Sequence, residues 1–136
     1  MPDYDIHGRE GTPYARLYSE QLTYVMKRLG EAVDAILAAS PRPPVIIVQG
    51  DHGPGSRLHH ERVMYSDHVE RFGICNAWYI PPGVNLELQE GATAMNTFPV
   101  LFNALFQANL PLKEARFFYA RMSQPYTHLE LNLTKE

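Results

Sequence analysis

Asp51 and His52 stand side by side directly after the apolar run Val45-Ile46-Ile47-Val48 and the link Gln49-Gly50. A carboxylate oxygen next to an imidazole nitrogen offers two ligands to a divalent cation, Mn, Zn, Mg or Ca, whose identity the pair leaves open. Two ligands make only half a site, because such ions take about four to six donors. An Asp after a strand also has a plainer reading, as the cap or Asx-turn residue of the next loop with a solvated His beside it. The stretch 56–70 adds Arg57, His59, His60, Arg62 and His68. Of these, Arg57 could neutralise a sulfate or phosphate oxygen, and His59 or His60 could complete a metal shell or protonate a leaving group. The alternative for each is a solvated loop leading into a short helix.

The elements that must hold these groups show as patterns. The continuous β-branched run, launched by Pro43-Pro44 and ended by Gly50, predicts a buried strand of a parallel sheet. Asp51 and His52 then sit at the rim outside its carboxyl end, where such sheets bind ligands, and Gly53-Pro54-Gly55 forces a sharp turn. Upstream, Tyr18, Leu22, Val25, Leu29, Val33, Ile36 and Leu37 recur at spacings of three and four. That period predicts an amphipathic helix over 14–39, ended by Pro41, covering one face of the sheet with Tyr18 and Tyr24 as packing residues. Ile74 to Ile80 predicts a second strand stopped by Pro81-Pro82-Gly83, with Cys75 buried in it. Asn96 or Thr97 caps a helix through Phe98, Leu101, Phe102, Leu105 and Phe106, with Pro99 in its first turn. Phe117-Phe118-Tyr119 predicts a strand or packed turn, and alternating Leu129, Leu131 and Leu133 predict a half-buried edge strand. The expected fold class is α/β, a short, mainly parallel sheet flanked by helices. Residues 1–13 form an extended lead-in, and no repeat divides 14–136.

Composition is that of a globular piece: 136 residues, 45% hydrophobic and 20% charged, enough for one core. A formal net charge of −3 gives no electrostatic case for nucleic acid or anionic membrane as partner. The single cysteine rules out an internal disulfide. The first ten residues are polar, unlike a signal peptide, and no aliphatic run approaches a membrane span.

The segment Pro43-Pro-Val-Ile-Ile-Val-Gln-Gly-Asp-His-Gly-Pro-Gly-Ser56 resembles the last metal-binding motif of the sulfatase-like branch of the alkaline phosphatase superfamily. Pro13-Tyr14, Gln21-Leu-Thr-Tyr24 and Val33-Asp34-Ala-Ile-Leu37 are similar to the helix before that motif. Arg71-Phe-Gly-Ile-Cys-Asn-Ala-Trp-Tyr-Ile-Pro-Pro-Gly83 is similar to the next strand; Asn96-Thr97-Phe98, Phe102-Asn103 and Asn109-Leu-Pro-Leu112 are similar to the last helix and its turn. The resemblance implies the distal part of a phosphatase-like α/β domain, a divalent metal held in part by Asp51 and His52, and a sulfate or phosphate ester as substrate. It also implies a nucleophile, Ser, Thr or formylglycine, near the start of such a domain. Nothing in this sequence supplies one: Cys75 follows the motif and lacks the Cys/Ser-x-Pro-x-Arg context, and Pro99 replaces a more usual basic residue. The chain therefore reads as the C-terminal portion of a larger hydrolase or transferase, inactive alone and prone to self-association. Any membrane anchor would lie in the parent's N-terminal region. The rival reading is a non-catalytic remnant or binding module.

Overall fold

The computed structural model describes residues 13–86 and 93–133. The expected lead-in therefore lies outside the described residues, apart from Pro13. Helix α1 spans Pro13–Ala39, about 40 Å at 1.5 Å per residue. Its end is set locally: Ser40 donates to the Ile36 carbonyl through both its amide, at 3.0 Å, and its hydroxyl, at 2.6 Å. Pro41 then has no amide hydrogen with which to continue the helix.

Strand β1, Ile46–Gln49, pairs with β2, Asn76–Tyr79, and the pairing is antiparallel, with Ile46 opposite Tyr79 and Gln49 opposite Asn76. The expected mainly parallel sheet flanked by helices is thus incorrect: the described residues form two separate two-stranded antiparallel sheets. The reason lies in the connection. A five-residue helix α2, His68–Phe72, folds back on the turn after β1, where the Gly53 amide donates to the Arg71 carbonyl at 2.8 Å. That return delivers Cys75 to Gly50, whose amide donates to the Cys75 carbonyl at 2.9 Å. β2 consequently starts where β1 stops and must run backwards. A parallel partner needs a crossover that carries the chain to the other end of the strand.

Two further expectations fail for the same reason. Among the described residues helix α1 makes no extended contact with either sheet: Leu22, Val25, Met26 and Ile36 are exposed and Tyr24 is 64% accessible, while Tyr18 is half-buried. Cys75 is exposed rather than buried, because a two-stranded ribbon has no second layer over it.

Helix α3, Thr97–Phe106, matches its expected extent. Asn96 precedes it without a side-chain cap; its amide group instead brackets Lys113, accepting from the Lys113 amide at 2.9 Å and donating to its carbonyl at 2.8 Å. Asn103 does the same to Leu110, at 2.6 and 2.9 Å. These two clamps hold a segment in which Gln107 and Asn109 both take positive φ of 53°, a conformation that costs non-glycine residues about 1 kcal/mol each.

Strands β3, Phe117–Arg121, and β4, Gln124–Leu131, form the second ribbon. It docks on the segment after the Asp51 turn. Tyr119 donates its hydroxyl to the His59 carbonyl, Met122 donates its amide to the His60 carbonyl at 3.1 Å, and Glu61 accepts from the Ser123 amide at 2.9 Å and hydroxyl. Edge-to-face rings, Phe72 on Phe117 at 5.1 Å and His68 on Tyr119 at 5.7 Å, close the contact between α2 and β3. Burial holds the Tyr119 phenol above its usual range, with the Glu61 charge adding to it. The core is small: Leu101 and Tyr119 are the buried hydrophobic side chains among the described residues.

The Ser123 hydroxyl holds the Glu61 carboxyl below the ordinary value of 4.5, and the Arg116 fork does the same to Glu130. A depressed folded-state pKa stabilises above the unfolded value, and the contribution disappears as pH falls through the folded one. Docking of the β3–β4 ribbon should therefore weaken below about pH 4.5, read as faster hydrogen exchange at the Met122 and Ser123 amides. Exchange there that is insensitive to Glu61→Gln at neutral pH would contradict it.

Candidate functional site

The turn after β1 places the Asp51 and His52 side chains on the surface. Asp51 is 88% and His52 51% exposed at the side chain, with Oδ2 of the first 3.6 Å from Nε2 of the second. Donors about 2.1 Å from one ion and 3.6 Å apart subtend roughly 120° at it, near the tetrahedral angle. The other Asp51 oxygen accepts from the His52 amide at 3.0 Å, which fixes the carboxylate against the backbone.

The turn itself is held from three directions. Gly53 is buried against α2, so closely that a Cβ would lie 2.0 Å from the Glu70 carbonyl oxygen. Gln49, the residue before Gly50, accepts from the Thr97 hydroxyl at 2.6 Å, and Thr97 is 2% exposed. Glu70 accepts from the Ser56 hydroxyl and, at 3.1 Å, from the Arg57 amide. Asp67 caps α2 by accepting from the Glu70 amide at 2.9 Å, so the helix that packs on Gly53 is itself pinned.

His52 Nδ1 meets two groups that require opposite tautomers. Arg71 NH1 lies 2.7 Å away and can only donate, which requires a lone pair on Nδ1. The Gly53 carbonyl lies 2.9 Å away and can only accept, which requires Nδ1–H. In the first arrangement Nε2 carries the proton and cannot ligate. In the second Nε2 presents its lone pair beside Asp51, and the backbone carbonyl is the usual outer partner of a metal-bound imidazole. Arg71 NH1 also bonds the Gly53 carbonyl at 3.0 Å, so it retains a partner in either state.

The other expected site residues lie in the loop that follows. Arg57 pairs with Asp67 at 2.7 Å and approaches Glu70 at 3.9 Å. His59 Nδ1 accepts from the Glu61 and Arg62 amides at 3.2 and 3.1 Å, and its ring lies 6.2 Å from Tyr65. His60 is exposed, with its carbonyl engaged by Met122. Among the described residues no group of three or more His, Cys, Asp or Glu side chains has metal-holding geometry. Asp51 and His52 are thus brought together, and neither His59 nor His60 joins them in such a group.

Sequence reasoning missed Arg71. Nothing in its spacing from His52 marks it, because the contact arises from the fold-back of a helix too short to show a period. It also missed the acceptors Asp67 and Glu70, whose signal was available as an Asp-x-x-Glu cap pattern over 67–70. No protein-family model, curated protein or solved structure matches the chain. Among the described residues no helix is long and apolar enough to cross a membrane.

Proposed function

We propose that Asp51 and His52 contribute two ligands to a divalent cation in the hydrolysis or transfer of a sulfate or phosphate ester, with the nucleophile and remaining ligands supplied by other polypeptide. The observation that carries this is the 3.6 Å approach of Asp51 Oδ2 to His52 Nε2 on an exposed turn. The order of segments resembling the sulfatase-like branch supports it on chemistry alone; the parallel-sheet fold has no part in it. A divalent cation bound there supplies Lewis acidity to an ester oxygen and acidifies the nucleophile.

The chain's own residues do the positioning. Asp51 contributes charge, and His52 in its Nδ1–H state contributes the neutral nitrogen. Arg71 lies behind the imidazole, on Nδ1 and the Gly53 carbonyl, where it sets which nitrogen of His52 carries the proton. Arg57, His59 and His60 are the candidates for contact with the ester oxygens, Arg57 through the part of its guanidinium not facing Asp67.

Arg71→Met separates the tautomer argument from a merely structural one. Removing the guanidinium frees Nδ1 to donate to Gly53, which leaves the Nε2 lone pair for the ion, and takes away a positive charge on the far side of the ring. Mn²⁺ affinity should rise roughly fivefold, the equivalent of about 1 kcal/mol for one partly exposed charge contact. Electron paramagnetic resonance of free Mn²⁺ measures this directly. Unchanged or weaker binding in Arg71→Met would remove Arg71 from the account.

A further inference from the structure

A cavity of about 490 Å³ opens between α2 and β3. That volume falls in the range of small-molecule sites, about 300–1,000 Å³. Asp51 forms part of its wall, so the cavity and the proposed cation site share a residue. A group carried by an ester oxygen on that cation lies at the mouth of the cavity.

The wall itself is hydrocarbon, from Phe72, Ile74, Met95, Phe117 and Leu133. Phe72 and Phe117 meet edge to face at 5.1 Å, which holds both rings in place. The polar residues of the wall have little to offer a ligand. Thr93 Oγ1 is buried away from the opening. Asn76 accepts from the Trp78 indole at 2.6 Å, and Arg116 is forked onto Glu130 at 2.7 and 2.6 Å. A sugar placed here would give up its hydrogen bonds to water and find few replacements. A hydrocarbon group loses no such bonds and gains from leaving water.

We infer that the cavity holds the alcohol portion of the ester, and that this portion is a hydrocarbon group, aryl or branched alkyl, rather than a sugar. The inference rests on the proposed ester reading and adds its substrate class. One ester oxygen meets the cation at Asp51 and His52, and the hydrocarbon lies against Phe72 and Phe117.

The test is a ¹⁹F NMR titration of two phosphate monoesters with the full chain in excess Zn²⁺. 4-Fluorobenzyl phosphate carries a hydrocarbon alcohol and 2-deoxy-2-fluoroglucose 6-phosphate a polyol, so each reports through its own fluorine. The benzyl ester should bind about tenfold or more tighter, the ratio expected from burying one apolar group of side-chain size. EDTA should remove most of that binding. Ile74→Trp, which fills the cavity, should bring the two esters to equal affinity and leave Zn²⁺ binding, read by calorimetry, unchanged. Phe106→Ser removes an apolar ring 70% exposed on α3, outside the cavity, and should change nothing. Equal binding of the two esters, or binding of neither, with Zn²⁺ bound overturns the inference and leaves the ester reading standing. Benzyl-ester binding that is as tight in EDTA, or a preference that survives in a folded Ile74→Trp chain, also overturns it. If Ile74→Trp loses its circular dichroism, the comparison of the two esters on the wild-type chain decides alone. A chain that binds no Zn²⁺ defeats the ester reading, and this inference with it.

Discussion

Gly53→Ala is expected to lose the Asp51–His52 turn, with a stability cost of about 3 kcal/mol, at the upper end for forced overpacking. A Cβ there would lie 2.0 Å from the Glu70 carbonyl oxygen and 2.5 Å from that of Gly73. Both are backbone atoms at the end of α2, so no side-chain rotation relieves the overlap. The turn and helix must separate, which breaks the 2.8 Å bond from the Gly53 amide to Arg71 and carries His52 away from its partners. Gly50→Ala is the matched control: its Cβ meets nothing nearer than 3.7 Å, an ordinary contact. Thermal unfolding of the two variants should therefore diverge sharply. A Gly53→Ala chain that melts where the wild type does would show that the packing of α2 on this turn is wrong.

The second large effect concerns association. On α1, Leu22, Val25, Met26 and Ile36 are all exposed, at 44–47% of their accessible surface. On α3 the stripe Phe98, Phe102 and Phe106 also faces outward, at 58%, 39% and 70%. An amphipathic helix gains little from propensity alone and needs its apolar face covered. The wild-type chain should accordingly self-associate, with a concentration-dependent sedimentation coefficient. Val25→Glu with Ile36→Glu removes two side chains worth at least about 1.5 kcal/mol each when buried. The association constant should fall more than about a hundredfold. A wild-type chain that sediments as one monomeric species at every concentration would contradict this.

Much of the local structure was legible. The three-and-four spacing from Tyr18 to Leu37 marked α1, and the alternation of Leu129 and Leu131 marked the end of β4, although Leu129 is exposed rather than half-buried and Leu133 lies beyond the strand. Both periods are properties of a single segment. Strand direction is not such a property. Val45 to Val48 has the continuous apolar character of a central strand, yet among the described residues β1 has one neighbour, and Val45 to Val48 are only half-buried. What decides the pairing is the docking of Gly53 against α2, a contact between residues 18 apart whose only local trace is the glycine itself. The clamps of Asn96 on Lys113 and Asn103 on Leu110 escaped for a similar reason, since bonds from one side chain to distant backbone leave no repeat. At the site, adjacency made Asp51 and His52 visible, whereas Arg71 became visible only once the fold brought it to Nδ1.

The central claim is that Asp51 and His52 act as paired ligands of one divalent cation, and calorimetric titration with Mn²⁺ and Zn²⁺ tests it most directly. Two protein ligands with water completing the shell should give weak, saturable binding at one site. His52→Ala and Asp51→Asn should each abolish it, and the double change His59→Ala with His60→Ala should leave most of it in place. Tight binding that persists in His52→Ala, or no binding by the wild-type chain, would contradict the account.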